Sequence, residues 1–209
     1  MDNRKPPEFN LELSADRSNV KDVVKGTASR EVLLSTMADV HVGIMHTIFF
    51  HRYFTPLTPA THDVLDTTLP YVSEDDIEEL IETKATALVR SLDTSSSTYA
   101  SPQYNPKTNG TGRGTVAVKF LEKKRRKGWF IAKADEETVW ETWTIDVTLT
   151  SARGELEAAR NRSAMESSLQ EAAIKVVTIV NQERQHIPPI TTSESNPFPY
   201  QISVNPKNA

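Results

Sequence analysis

Cysteine is absent from this chain of 209 residues. That removes disulfides, thiol nucleophiles and cysteine-ligated zinc together. Long apolar runs are missing too: no stretch approaches the roughly 18 residues of a membrane span, and Met1-Asp2-Asn3-Arg4-Lys5-Pro6-Pro7 has no apolar segment behind it. The expectation is a soluble, intracellular protein. No Walker A sequence, G-x-S-x-G elbow, H-E-x-x-H pair or metal-ligand spacing occurs, and the five histidines are dispersed. A binding module is therefore expected rather than an enzyme, with no cofactor, catalytic residue, metal or small-molecule substrate. The net charge of -4 is unlike that of a general nucleic-acid binder.

What is present centres on Thr115 to Leu149. In the second half of this stretch Trp143, Ile145, Val147 and Leu149 alternate with Thr142, Thr144, Asp146 and Thr148, a half-buried strand, and Thr115 to Leu121 is its natural hairpin partner. Between them lie Lys123, Lys124, Arg125, Arg126 and Lys127, then Gly128, Trp129, Phe130 and Ile131. Five consecutive cations stay in water, which leaves two readings of Trp129 and Phe130: displayed for a partner, or folded back under the loop to cap the core edge. The basic run has three: a solvated turn, a nuclear-localisation signal, or contact with anionic lipid or nucleic acid. Nucleic acid is the weakest, because the aromatics cluster at one tip with no extended basic groove. A peripheral lipid- or nucleic-acid-binding domain using residues 123–127 is thus the alternative function.

Elsewhere the patterns are conventional. Glu8 to Ala15 alternates with Phe9, Leu11 and Leu13 on one face, a first strand; Asn19 caps a brief helical turn over Val20 to Lys25. From Ser29 or Arg30, the spacing of Leu33, Met37, Val40, Ile44 and Ile48 predicts a long core helix. It carries His41, His46 and His51. Steps of five turn each side chain by roughly 140°, so these histidines share no face and are expected to pack rather than bind a metal. Tyr53 to Asp63 reads as a loop, and Val64 to Val72 as a short strand that Pro70 confines to an edge. Ser73-Glu74-Asp75-Asp76 begins a second helix through Ile77, Leu80, Ile81 and Leu88; capping accounts for Asp75 and Asp76 without a paired-acid role. Residues 93–114, rich in Ser, Thr, Pro and Gly, read as a flexible insertion. Ser151 to Arg162 reads as a turn and linker. Ser163 opens a second capping box and a third long helix with Met165, Leu169, Ala172, Val176 and Val180 on its apolar face. Tyr200, Ile202 and Val204 form a last strand.

Several strings add a resemblance. Met45-His46-Thr47-Ile48-Phe49-Phe50-His51-Arg52, Trp140-Glu141-Thr142-Trp143-Thr144-Ile145-Asp146-Val147, Tyr200-Gln201-Ile202-Ser203 and Gly128-Trp129-Phe130 resemble a fungal-type member of the autophagy-related protein 101 family, from Leu11 to Val204. The resemblance implies an α+β HORMA domain over residues 8–204, an antiparallel sheet packed against three long helices with a protruding hairpin loop, and tails at 1–7 and 205–209. It implies a non-catalytic scaffold of the autophagy-initiating kinase complex. That scaffold pairs as a heterodimer with the HORMA domain of autophagy-related protein 13, through the region of the third helix from Ser163 to Arg184, and so meets the protein kinase indirectly. Trp129 and Phe130 match the family's aromatic finger, which recruits downstream factors in the cytoplasm at the autophagosome formation site (preautophagosomal structure). Some HORMA proteins wrap a ligand with a C-terminal segment. Five residues after Val204 reach at most about 18 Å, so a one-state, open-like domain is expected.

Overall fold

The computed structural model describes residues 5–16, 30–96, 112–124, 136–152, 154–191 and 196–206, with backbone alone at 30–38, 93–96, 124 and 136. In chain order the elements are β1 (Glu8–Asp16), α1 (Arg30–Arg52), β2 (Ala60–Val64), β3 (Thr67–Tyr71), α2 (Asp75–Ser96), β4 (Gly112–Lys124), β5 (Glu136–Thr150), α3 (Glu155–Gln182) and β6 (Tyr200–Val204). The described fold is mixed α+β, with three helices. The expected turn near Asn19 falls outside the described residues.

Period-2 patterning sets the main sheet, ordered β1-β5-β4-β6. Leu11 and Leu13, Val116 and Val118, Trp143 and Ile145, and Ile202 are all buried, and they join one cluster with Ile44 and Ile48 of α1 and Leu169 and Val176 of α3. Helix α1 is the central rod, touching α2, α3, β1 and the β2–β3 hairpin. The opposite sheet face is polar: Glu12, Asp146 and Arg113 are exposed, and the Thr115 hydroxyl donates to Asp146 at 2.6 Å.

The sheet is not antiparallel throughout. β4 pairs antiparallel with β5 and β6, but β1 runs parallel to β5, with Leu11 beside Ile145. No hairpin joins β1 to β5; α1, β2–β3 and α2 intervene in the chain, so packing rather than a tight turn sets the direction of β1.

Three other expectations change. The expected loop holds only over 53–59, and in place of one strand over Val64 to Val72 there is a separate two-stranded hairpin of β2 and β3, Ala60 pairing with Tyr71. It turns at Leu65, which adopts a left-handed φ of 53°. Pro70, opposite Thr61, is tolerated because such a sheet has only edges. Helix α2 starts at Asp75, and the Glu74 carbonyl accepts from the amides of Ile77 and Glu78 at 3.0 and 2.9 Å. Its acidic first turn faces the positive helix end as expected. The interval expected as flexible, 93–114, is shorter: residues 93–96 continue α2 and 112–114 begin β4, leaving 97–111 outside the described residues. Finally, α3 begins at Glu155, with Gly154 as its N-cap and the Gly154 carbonyl accepting from Ala158 at 2.9 Å; Ser163 lies inside the helix. Glu155 to Arg162 is rich in Glu, Ala, Leu and Arg, strong helix formers whose mostly polar character hides any apolar stripe. The buried face of α3 is Met165, Leu169, Ala172, Val176 and Val180, as the spacing predicts.

Gly114, which reads as loop, serves close packing of β4 on α2. A Cβ on Gly114 would lie 2.7 Å from Leu88 Cδ1 and 3.1 Å from Leu92 Cδ2, and both leucines are buried. Gly114→Ala is expected to destabilise the protein by about 1–3 kcal/mol in urea denaturation. An unchanged midpoint would show that α2 is free to shift away.

Candidate protein-interaction site

The hairpin β4–β5 is longer than its neighbours. Pairing with β1 begins at Thr142, and pairing with β6 ends at Phe120, yet β4 and β5 stay paired out to Lys124 and Glu136. The last three or four pairs form a two-stranded stalk that extends about 10 Å past the four-stranded sheet, at roughly 3.3 Å per residue. Lys123, Glu137 and Thr138 on it are exposed. Of the residues singled out in the basic run, Lys123 faces Glu137 across the stalk and Lys124 is the last residue of β4. Arg125, Arg126, Lys127, Trp129 and Phe130 belong to the connection 125–135 at the stalk's end and lie outside the described residues.

A β-bulge marks the stalk's base. Phe120 pairs with Glu141 and Leu121 with Val139, so Trp140 is the extra residue. Strict alternation puts Trp140 on the polar face. The bulge instead turns it inward, 6% exposed, with its ring centroid 5.2 Å from Phe198 and 5.7 Å from Phe120. Next to it Glu141 is fully buried. Arg52, at the end of α1, donates from Nε to both Glu141 oxygens at 2.8 and 2.9 Å. Trp143 Nε1 donates to Oε1, and His186 Nε2 lies 2.6 Å from Oε2. Arg52 Nη2 also donates to the Glu183 carbonyl at 3.2 Å. The carboxylate thus joins α1, β5 and the turn after α3. Glu141 shares strand parity with Trp143, and a charge on an apolar face is the only signal of its role in the sequence.

The α1 histidines have separate surroundings. His46 Nδ1 accepts from the Val72 amide at 3.4 Å, and its ring stacks on Tyr71 at 3.9 Å. Burial, with help from nearby His62, lowers its pKa to about 4. His51 packs edge-on to Phe50 and is held below the ordinary histidine range by burial and then by Arg52. His41 is buried. Burial also raises the Asp39 carboxyl, with Glu82 adding and His62 opposing. Tyr71 is raised by burial and by its hydrogen bond to Glu78.

The second surface is the outer side of α3. At about 100° per residue, Ile174 lies opposite the buried Met165–Val176 face, with Val177 beside it. They are 67% and 43% exposed, among few large apolar side chains so displayed in the described residues. Leu156, 70% exposed, lies five turns back along the same side. The arrangement offers contact surfaces on a rigid frame.

The family model described as autophagy-related protein 101 matches residues 12–194. The chain belongs to that family. It is 25% identical over 167 residues to autophagy-related protein 101 of Schizosaccharomyces pombe, covering 79% of this chain and 78% of the relative. It is 24% identical over 182 residues to the protein of that name from Arabidopsis thaliana, covering 77% of each. With that of Xenopus tropicalis it shares 27% identity over 181 residues, covering 84% of this chain and 77% of the relative. Membership in the autophagy-related protein 101 family implies a role in autophagy, and the family name denotes no enzyme class.

Two measurements test the buried groups. Glu141→Gln leaves the Arg52 guanidinium buried without its counter-charge and is expected to cost about 3 kcal/mol or more in chemical denaturation; adding Arg52→Met recovers part of it. A double variant worse than Glu141→Gln alone would contradict this. His46, with a folded pKa below its unfolded value, favours the folded state above pH 6.5 and loses that contribution as pH falls toward 4. The native protein should lose on the order of 2 kcal/mol more than a His46→Gln variant between pH 7 and pH 5. The raised Asp39 works in the opposite direction, and the comparison of variants isolates His46.

Proposed function

We propose that this chain is a non-catalytic adaptor in autophagy initiation. In this reading it is a HORMA domain that pairs with, and stabilises, the HORMA domain of autophagy-related protein 13. Through that partner it joins the autophagy-initiating kinase, and it recruits downstream factors at the autophagosome formation site in the cytoplasm. The observation that carries this reading is the β4–β5 stalk. A strand pair is prolonged past both neighbours, and the residues that follow it in the chain include Trp129 and Phe130, side chains of the kind that anchor protein contacts. Aromatic side chains of this kind supply large contact area, and their loss costs fold stability little when they lie outside the core.

For the pairing surface, the region of the third helix now has two named candidates, Ile174 and Val177. Their exposure opposite the core face supports them as an apolar patch within a polar helix side. The tests separate the two surfaces. Trp129→Ala with Phe130→Ala should leave the melting temperature and pairing with the partner HORMA domain unchanged while abolishing recruitment of later factors in cells. Ile174→Asp with Val177→Asp should weaken pairing by at least about tenfold in titration calorimetry, a loss of roughly 1.4 kcal/mol, with no loss of monomer stability. If pairing survives the second variant, the α3 surface is wrong. If binding to anionic vesicles depends on residues 123–127 and falls steeply with salt, the lipid reading replaces recruitment by the finger.

A further inference from the structure

The polar face of the sheet is hollowed where β1, β5 and β4 meet the residue after β6. The hollow has a volume of about 410 Å³, and Glu12, Arg113, Thr115, Asp146, Thr148 and Asn205 are among its lining residues. Its rim is fixed at one corner. Asn205, in a left-handed conformation with φ 45°, accepts from the Thr115 amide at 2.9 Å and donates to the Ser91 hydroxyl at 2.9 Å.

Strand register decides which charges meet there. Glu12 stands directly opposite Asp146 in the parallel pair of β1 and β5, and Asp146 stands opposite Thr115, whose hydroxyl donates to it at 2.6 Å. Like charges directly opposite each other on neighbouring strands repel and cost stability. Arg113 is on the same face of β4, two residues from Thr115 and opposite Thr148. It does not relieve the repulsion: among the described residues, no ion pair joins Arg113 to Glu12 or to Asp146. The hollow thus holds two negative charges at one end and a single positive charge at the other. Two strand spacings and two residues along the strand put the Cα atoms of Glu12 and Arg113 about 12 Å apart. Their long side chains span much of that gap, and what remains between the charged ends suits a small molecule carrying both signs.

We propose that this hollow binds a small zwitterion of the α-amino-acid class, with its ammonium between Glu12 and Asp146 and its carboxylate on Arg113. The ammonium replaces a repulsive carboxylate pair with charge-assisted hydrogen bonds, and the guanidinium fork matches a carboxylate. The Thr115 hydroxyl, which already donates to Asp146, accepts from the ammonium, and the Thr148 hydroxyl donates to the carboxylate. The site is open to solvent, so it reads the two charged groups of the ligand and leaves the ligand's side chain in water. It is separate from the stalk and from Ile174 and Val177, so it neither requires nor excludes the adaptor reading.

The test is a titration of the isotope-labelled full chain followed by NMR, with L-alanine as the probe and methylammonium and acetate as probes that carry one charge each. The expected result is saturable shifts of the Thr115, Asp146 and Thr148 amides by L-alanine, with a dissociation constant on the order of 1 mM. Methylammonium and acetate should each bind at least about tenfold more weakly. Glu12→Gln and Arg113→Gln should each weaken the L-alanine response by a similar factor. Both replaced side chains are exposed, so the melting temperature of either variant should not fall, and Glu12→Gln removes a repulsion. Shifts that do not saturate, an equal response to the singly charged probes, or indifference to both variants overturns the proposal.

Discussion

A carboxylate sealed from water at the base of the hairpin governs how this molecule is put together. Alone, the Glu141 charge costs several kcal/mol to bury. Here it receives both oxygens' worth of contact from Arg52, a donor from Trp143 and the ring of His186. Apolar side chains accept many arrangements at similar energy, but this set accepts few, because each donor must meet a specific oxygen. The end of α1, the middle of β5 and the turn after α3 are therefore held in one register, although they lie far apart along the chain.

Two exposed features grow from that point. The bulge at Trp140 adjoins Glu141, and beyond it β4 and β5 continue as the stalk. His186 adjoins the same carboxylate from the other side, and the proline pair follows it directly. The order of an exposed segment depends on what supports it, and here one buried charge adjoins two. The outer side of α3 is held differently, by Met165, Leu169 and Val176 packed into the common core.

Residues with a single period were legible from sequence. Trp143, Ile145, Val147 and Leu149 alternate cleanly, and the five buried positions of α3 follow helical spacing, so each element type and its core face could be read directly. Legibility failed where two constraints met at one residue. Trp140 departs from alternation because a bulge inserts it, and a bulge has no mark in the strand's own pattern. Gly114 reads as loop because glycine usually serves turns, whereas here the close approach of Leu88 and Leu92 from α2 leaves no room for a Cβ. Glu155 to Arg162 has helix propensity without an apolar stripe, so apolar spacing alone places the start of α3 too late. The parallel direction of β1 is a tertiary outcome. For the candidate site, the residues of the basic run and the Trp129-Phe130 pair stand out by composition, while the Glu141 carboxylate at the stalk's base is visible only as a parity mismatch.

This arrangement has a consequence for reading variants. Exposed positions such as Ile174 and Arg113 can change one contact each, because they contribute little to the core. A substitution at Arg52, Glu141 or His186 acts on the stalk base and on the turn after α3 together, and on global stability as well. Loss of two interactions at once then points to the buried charge rather than to a shared binding surface. The two cases separate on thermal stability: a surface defect leaves the melting temperature in place, and a defect at the carboxylate lowers it, so a contact map drawn from interaction loss alone would assign buried residues to interfaces they never touch.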